Sequence, residues 1–150
     1  MSSDMIFFLR EFAAGFDAQV GSEARDRFLR QVGASMAGRL TLPPCETVEA
    51  LELEINAHLA LLGWGRATLA VDTARKKLRI RHVGLPRIGS AGAPAGFWLA
   101  SCLAGLYETW IGRQPDAQPG YGIIWQPDQE TADDLLTLEF GAGDHGARRA

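Results

Sequence analysis

The first forty residues contain two stretches in which apolar side chains recur every three or four positions, the spacing of one face of a helix. The first stretch runs from Met5 to Phe16, and the second begins near Ser22, a residue type that caps helix N-termini. Gly33 and Gly38 lie inside the second stretch and lower its intrinsic stability, so we expect them to permit close packing. The pattern predicts two helices.

A third helix is marked at both ends. Pro43 and Pro44 end the element that precedes them, because proline lacks the backbone donor and disfavours helix in the residue before it. Thr47 can cap the new helix with its side-chain oxygen, and Gly63 supplies a stop. One apolar stripe joins these ends and consists of Val48, Leu51, Ile55, His58, Leu59 and Leu62.

After Gly65 the apolar spacing changes to two, which is typical of strands. Two strands with a short polar connection predict an antiparallel hairpin. Its inward side chains are Ala67, Leu69 and Val71 in the first strand, and Leu78, Ile80 and His82 in the second. A loop rich in glycine and proline then leads to a long apolar helix predicted from Gly96 to Gly112.

The segments YGIIWQ and LLTLEF predict a second hairpin, and about 141–150 reads as a flexible tail. The whole chain, 1–150, is therefore predicted to be a single α+β domain. Three N-terminal helices precede a β-hairpin, a long helix and a second β-hairpin, with the helices packed on an antiparallel sheet. An alternating βαβ pattern is missing, which disfavours a parallel nucleotide-binding sheet.

Two segments resemble a known family. They are LPPCETVEALELEINAHLALLGWG, from Leu42 to Gly65, and LPRIGSAGAPAGFWLASCLAGLYETW, from Leu85 to Trp110. Both resemble the D-type subunit of bacterial cellulose synthase, a family of small accessory proteins, and the resemblance runs from about Gln19 over most of the chain. Neither segment contains a catalytic signature.

The resemblance implies a ring-like homo-octamer, built as a tetramer of dimers, with passages near the N-terminal residues. It also implies a non-catalytic accessory role in cellulose synthesis, either organising synthase complexes or guiding nascent β-1,4-glucan chains for ordered export and crystallisation. The implied partners are further copies of the chain, other cellulose synthase operon subunits including a proline-rich accessory protein, and glucan chains as a candidate.

Charge and composition narrow the function further. A net charge of −3 leaves no basic footprint for nucleic acid. No apolar stretch reaches the roughly 20 residues that span a bilayer, so membrane insertion is not expected. The start MSSDMIFFLREF lacks the basic region of a signal peptide, which favours the cytoplasm, with the periplasm as the alternative. Cys45 and Cys102 fit a reduced compartment better than a disulfide.

Catalytic, metal and cofactor sites are not expected. His58, His82 and His145 lack the spacings of metal sites, and neither cysteine can be assigned a catalytic partner. Glu49 and Glu52 share one face of the third helix, and a solvated helix face does not supply the substrate cleft with a buried carboxyl that a glycosidase requires. We therefore predict that the protein is not an enzyme.

Two sets of apolar residues remain as candidate functional positions. Consecutive bulky residues in the first helix cover more than one stripe, so we assign Met5, Phe8 and Phe12 to an oligomer interface. Trp64 and Trp98 are candidates for glucan stacking or for packing, because aromatic rings serve both purposes.

A different class of function stays open. Three helices followed by a hairpin, a helix and a hairpin also look like small-molecule binding or sensing modules of the four-vinyl-reductase type. A deep apolar pocket inside the protomer would favour that alternative, whereas a filled core and a large interface would favour a scaffold.

Overall fold

The computed structural model describes residues 3–125 and 134–142. Its helices are α1 (Ser3–Arg39), α2 (Val48–Leu62) and α3 (Ala100–Gly112). Its strands are β1 (Arg66–Asp72), β2 (Lys77–Val83), β3 (Gly122–Trp125) and β4 (Leu136–Gly141). The predicted α+β class is confirmed.

The four strands form one antiparallel sheet in the order β1-β2-β4-β3. Both predicted hairpins are present, and the second joins the first through the pairing of β2 with β4. Side chains of one face meet in the core because the register is unbroken, with Leu69 opposite Ile80 and Ile80 opposite Leu138. His82 also points inward as predicted, but Val71 at the edge of the sheet is 55% exposed, contrary to prediction.

The helices stack in two layers on that face of the sheet. α2 packs on β1, and α3 packs on β3 and β4. α1 packs on α3, so α3 is enclosed between α1 and the sheet, and nine of its thirteen residues are buried. α3 is therefore buried on more than one side.

The first half of the chain contains the predicted break between two helical segments. α1 runs from Ser3 to Arg39 and is interrupted at Gly21, whose φ of 83° and ψ of 163° are not helical. Glycine adopts this positive φ without the steric cost of a side chain, so the chain bends there and resumes its helix from Ser22. The first two predicted helices are therefore the two segments of α1, joined end to end at Gly21, and α2 is the third.

The predicted limits of α2 are confirmed. The Thr47 side chain accepts a hydrogen bond from the Ala50 amide at 3.0 Å, and Gly63 takes the left-handed conformation at the C-terminus. α3 begins at Ala100 and not at Gly96, because Phe97 is not helical and Trp98 and Leu99 lie in a turn. Residues 143–150, most of the predicted flexible tail, lie outside the described part.

One of the two glycines predicted to allow close packing does so. A methyl group on Gly33 would stand 1.9 Å from the Cys102 carbonyl oxygen, and one on Gly105 would stand 2.0 Å from the Arg30 carbonyl oxygen. α1 and α3 thus cross with their backbones in contact. Gly38 is different, since an added methyl group would meet its nearest neighbour at an ordinary 3.7 Å.

Candidate functional site

The most prominent surface feature is the apolar exposure of α1. The described residues include ten exposed large apolar side chains, and seven of them lie on this helix: Met5, Ile6, Phe7, Phe8, Phe12, Val20 and Phe28. Phe7 is 67% exposed and Phe8 is 57% exposed. Exposed apolar groups that lie together on one surface are typical of interaction sites, whereas single ones are ordinary.

Four phenylalanines of α1 form a continuous aromatic row. Ring centroids lie 5.8 Å apart from Phe8 to Phe12 and from Phe12 to Phe16, and 5.6 Å apart from Phe16 to Phe28. The last pair spans twelve positions, which a straight helix would separate by about 18 Å along its axis. The bend at Gly21 is therefore what makes the row continuous.

A buried ion pair fixes this bend. Arg25 is 4% exposed, and its guanidinium donates to Asp17 Oδ2 at 2.8 Å across the kink and to Asp26 at 2.9 Å. Asp17 accepts a second hydrogen bond, 2.9 Å long, from Trp98 Nε1, and Asp26 accepts one from the Ser101 hydroxyl. A buried guanidinium requires such partners, so the two segments of α1 are held at a set angle.

The predicted interface and stacking residues occupy different environments. Met5, Phe8 and Phe12 are all exposed. Trp98 is only 5% exposed, and Phe12 and Phe16 stand edge-on to it at 6.1 and 6.2 Å. Trp98 thus occupies a packing position that connects the aromatic row to the core.

Trp64, the second predicted stacking residue, is half-buried. Its carbonyl oxygen accepts a hydrogen bond from His82 Nε2 at 2.7 Å, which makes this ring nitrogen the protonated one. His82 Nδ1 then accepts from the Tyr107 hydroxyl at 2.5 Å. Burial lowers the pKa of His82 to about 4 and raises the pKa of Tyr107, so both are neutral structural groups.

Side chains from the helices close the two edges of the sheet. At the β1 edge, Asn56 binds both backbone groups of Ala67, at 2.7 and 2.9 Å, and Glu52 accepts from the Leu69 amide at 2.7 Å. Glu52 is thus not simply part of a solvated face, contrary to the sequence interpretation. A backbone row left open is a template for pairing with another chain, and these side chains occupy it.

The β3 edge is closed in the same way. Glu108 accepts from the Ile123 amide at 2.8 Å, and Arg30 donates to the Ile123 carbonyl oxygen at 3.1 Å. Arg30 and Glu108 also pair with each other at 2.6 Å. Sequence analysis missed these residues, because a charged residue on a helix gives no sign in the sequence of the strand that its side chain reaches.

An open cleft of about 390 Å³ lies between the start of α2, the β1–β2 turn and the loop after α3. Its lining is mostly apolar, with Leu51, Leu78 and Phe140 among the contributors and Lys76 and Lys77 beside them. The interior between α3 and the sheet is filled by buried side chains. The cleft is therefore a surface feature and not a cavity in the core.

The other chemical candidates lie apart from one another. Within residues 3–125 and 134–142, groups of three or more metal-ligating side chains do not occur. Burial raises the pKa of the Cys102 thiol to about 11, and it also raises the pKa of Cys45, so neither is an activated nucleophile. His145 lies outside the described residues. The helices in the described part are also too short or too polar to cross a membrane.

Fold and surface together define a small α+β protein whose main exposed feature, within the described residues, is an aromatic helix. The chain belongs to the family of cellulose synthase D-type subunits, whose model matches residues 1–139. The expected family is therefore confirmed.

Named relatives cover most of the chain. It is 45% identical over 127 residues to a cellulose synthase operon protein D of Komagataeibacter xylinus, covering 85% of this chain and 81% of the relative. A second protein of that name from K. xylinus is 41% identical over 134 residues, covering 89% and 86%. One from Komagataeibacter sucrofermentans is 43% identical over 127 residues, covering 85% and 81%.

Family membership gives the broad function. The protein takes part in cellulose synthesis as an accessory component, separate from the catalytic one, and is associated with other components of the cellulose synthase complex.

Proposed function

We propose that the protein is a non-catalytic scaffold that assembles with copies of itself through α1 and so organises cellulose synthase complexes. The observation that carries the proposal is the exposed aromatic row, whose outer phenylalanines are left uncovered by the described part of the protomer. Burying such a surface contributes about 25 cal/mol for each Å² of apolar area. The α1 helix of a second copy could bury this surface, because a two-fold interface brings the same apolar patch of both subunits together.

Two further details of this role rest on the resemblance. We propose the closed octamer as the form of the assembly and the cytoplasmic side of the synthases as its position. Organisation of the synthases, more than direct guidance of glucan, is the role we favour, since Trp98 is buried and its ring is not presented to a sugar chain.

The small-molecule module is a weaker second candidate. The cleft beside α2 has a volume within the range of ligand pockets, but it is open and lies outside the filled core. The scaffold accounts for the larger surface feature.

The test is the absolute mass in solution by light scattering, repeated across dilution. We expect the natural protein to hold a concentration-resistant multiple of 16.3 kDa. The double change Phe7→Asp, Phe8→Asp should reduce that mass, because each new carboxylate would be desolvated in the interface.

Leu53→Asp, Leu61→Asp is the matched control, since Leu53 and Leu61 are exposed by 71% and 79% but lie on α2. This control should leave the mass unchanged. A natural protein that is monomeric at all concentrations would refute the scaffold, and equal loss of mass in both variants would refute the assignment to α1.

A further inference from the structure

Among the described residues, closure of the β1 edge stops before the strand ends. Asn56 binds both outward backbone groups of Ala67, and Glu52 binds the Leu69 amide. The β1–β2 register has no slip, and alternate residues of a strand present both backbone groups to the same edge. The amide and carbonyl of Val71 therefore also point outward, and its side chain is 55% exposed.

The open cleft begins at this residue. Val71 lines it together with Leu51, Leu78, Ile111 and Phe140. A strand that paired with Val71 would direct alternate side chains to the helical face of the sheet. One apolar side chain of such a strand would enter the cleft.

Charge around the cleft limits what can bind. Lys76, in the turn that follows β1, and Lys77, the first residue of β2, both line it, and within the described residues neither forms a salt bridge. Glu46 and Asp116 line the cleft from other elements. This arrangement suits a single carboxylate beside the lysines better than a long acidic run.

We propose that the open end of β1 binds an extended peptide segment of a partner protein. The segment adds as a short strand beside Val71, places one apolar side chain in the cleft and brings an acidic residue to Lys76 and Lys77. Main-chain hydrogen bonds supply affinity in this mode of recognition, and the cleft supplies specificity.

The probe is an array of short overlapping peptides that covers the other proteins of the same cellulose operon, with scrambled sequences as background. We expect at least one peptide with an apolar residue and a nearby acid to bind the full chain. Its affinity should fall about tenfold in Val71→Pro, which removes the outward amide, and little in the isosteric control Val71→Thr. Proline is tolerated on an edge strand when its nitrogen faces outward.

Two further measurements separate loss of binding from loss of fold. A peptide methylated on the backbone nitrogen opposite Val71 leaves the protein untouched and should also bind about tenfold more weakly. Lys77→Glu should weaken binding of the acidic peptide and have less effect on a version with glutamine in place of the acid.

The proposal is overturned if every peptide binds no better than its scrambled version, or if Val71→Pro and Val71→Thr bind equally well. Light scattering on Val71→Pro keeps this test separate from the scaffold. If Val71→Pro loses peptide binding but keeps the mass of the natural protein, the result tests the β1 edge alone. A natural protein that is monomeric at all concentrations would instead refute assembly through α1.

Discussion

The helices α1 and α3 are both rich in large apolar residues, but they use them in opposite ways. α3 buries nine of its thirteen residues, whereas α1 buries five of its thirty-seven. The difference lies in position, since α3 has α1 on one side and the sheet on the other, while α1 packs on α3 and on the loop that precedes it with one side only. Apolar content thus shows that a surface needs a partner, and the fold shows whether that partner is in the same molecule.

The strongest test of this comparison removes one apolar side chain from each helix. Leu103→Ala in α3 should reduce the free energy of unfolding by about 4 kcal/mol, because Leu103 is fully buried and a cavity would remain. Phe7→Ala in α1 should change it by less than about 0.5 kcal/mol in the dissociated protomer. Urea unfolding at low protein concentration measures the free energy of unfolding of both variants. Similar losses of stability in the two variants would contradict the comparison between α1 and α3.

The bend in α1 gives the next largest effect. Asp17→Asn should lower the free energy of unfolding by about 3 kcal/mol, because it removes the carboxylate that pairs with buried Arg25 across the bend and leaves Arg25 only the half-exposed Asp26. The control is Glu23→Gln, which breaks the exposed pair with Arg27 and should not measurably change stability. Thermal unfolding of the two variants should therefore differ clearly, and equal melting temperatures would show that the ion pair does not hold the bend.

A pH series tests the core contact between His82 and Tyr107 of α3. The folded pKa of His82, about 4, lies below its ordinary value of 6.5, so the unfolded chain takes up a proton before the folded one does. The contribution of His82 to the free energy of unfolding is therefore constant above pH 6.5 and is lost as pH falls toward 4, by about 3 kcal/mol in total. His82→Gln should remove this part of the dependence of the free energy of unfolding on pH.

His58→Gln is the control for the pH series and should keep the slope, because the His82 contact is unchanged. Urea unfolding at several pH values between 4 and 7 gives the comparison. Identical slopes for the natural protein and His82→Gln would show that this histidine does not carry the effect.

The smallest predicted effect concerns two glycines of α1. Gly33→Ala should lower the free energy of unfolding by about 2 kcal/mol, since its methyl group would overlap the Cys102 carbonyl oxygen. Gly15→Ala meets nothing within 4 Å and should raise it by up to about 1 kcal/mol. Thermal unfolding measures both variants. If Gly33→Ala and Gly15→Ala shift the melting temperature in the same direction, α1 and α3 can separate at their crossing.

Local patterns in the sequence predicted much of this fold. The cap at Thr47, the stop at Gly63 and the inward face of β2 follow from residue type and spacing, and the structure confirms them. The limits of α3 were less accurate, since Trp98 and Leu99 continue its apolar pattern without being helical. Spacing reports which residues could share a face, but it does not report where backbone hydrogen bonding begins.

Contacts between distant parts of the chain could not be predicted. Trp98 binds Asp17 across 81 positions, and Glu108 reaches Ile123 through its side chain. Each of these groups looks like an ordinary surface or core residue when only its neighbours in sequence are considered. The exposed residues Met5, Phe8 and Phe12 were identifiable because they exceed what one helix stripe can bury, but their role in assembly stays a prediction.

The buried pair of Arg25 and Asp17 has a consequence for larger architecture. If neighbouring copies meet through α1, the angle between its two segments sets the rotation from one copy to the next. A rotation that divides a full circle gives a closed ring, and one that does not gives an open filament. A single ion pair inside the protomer would then govern the curvature of the whole assembly.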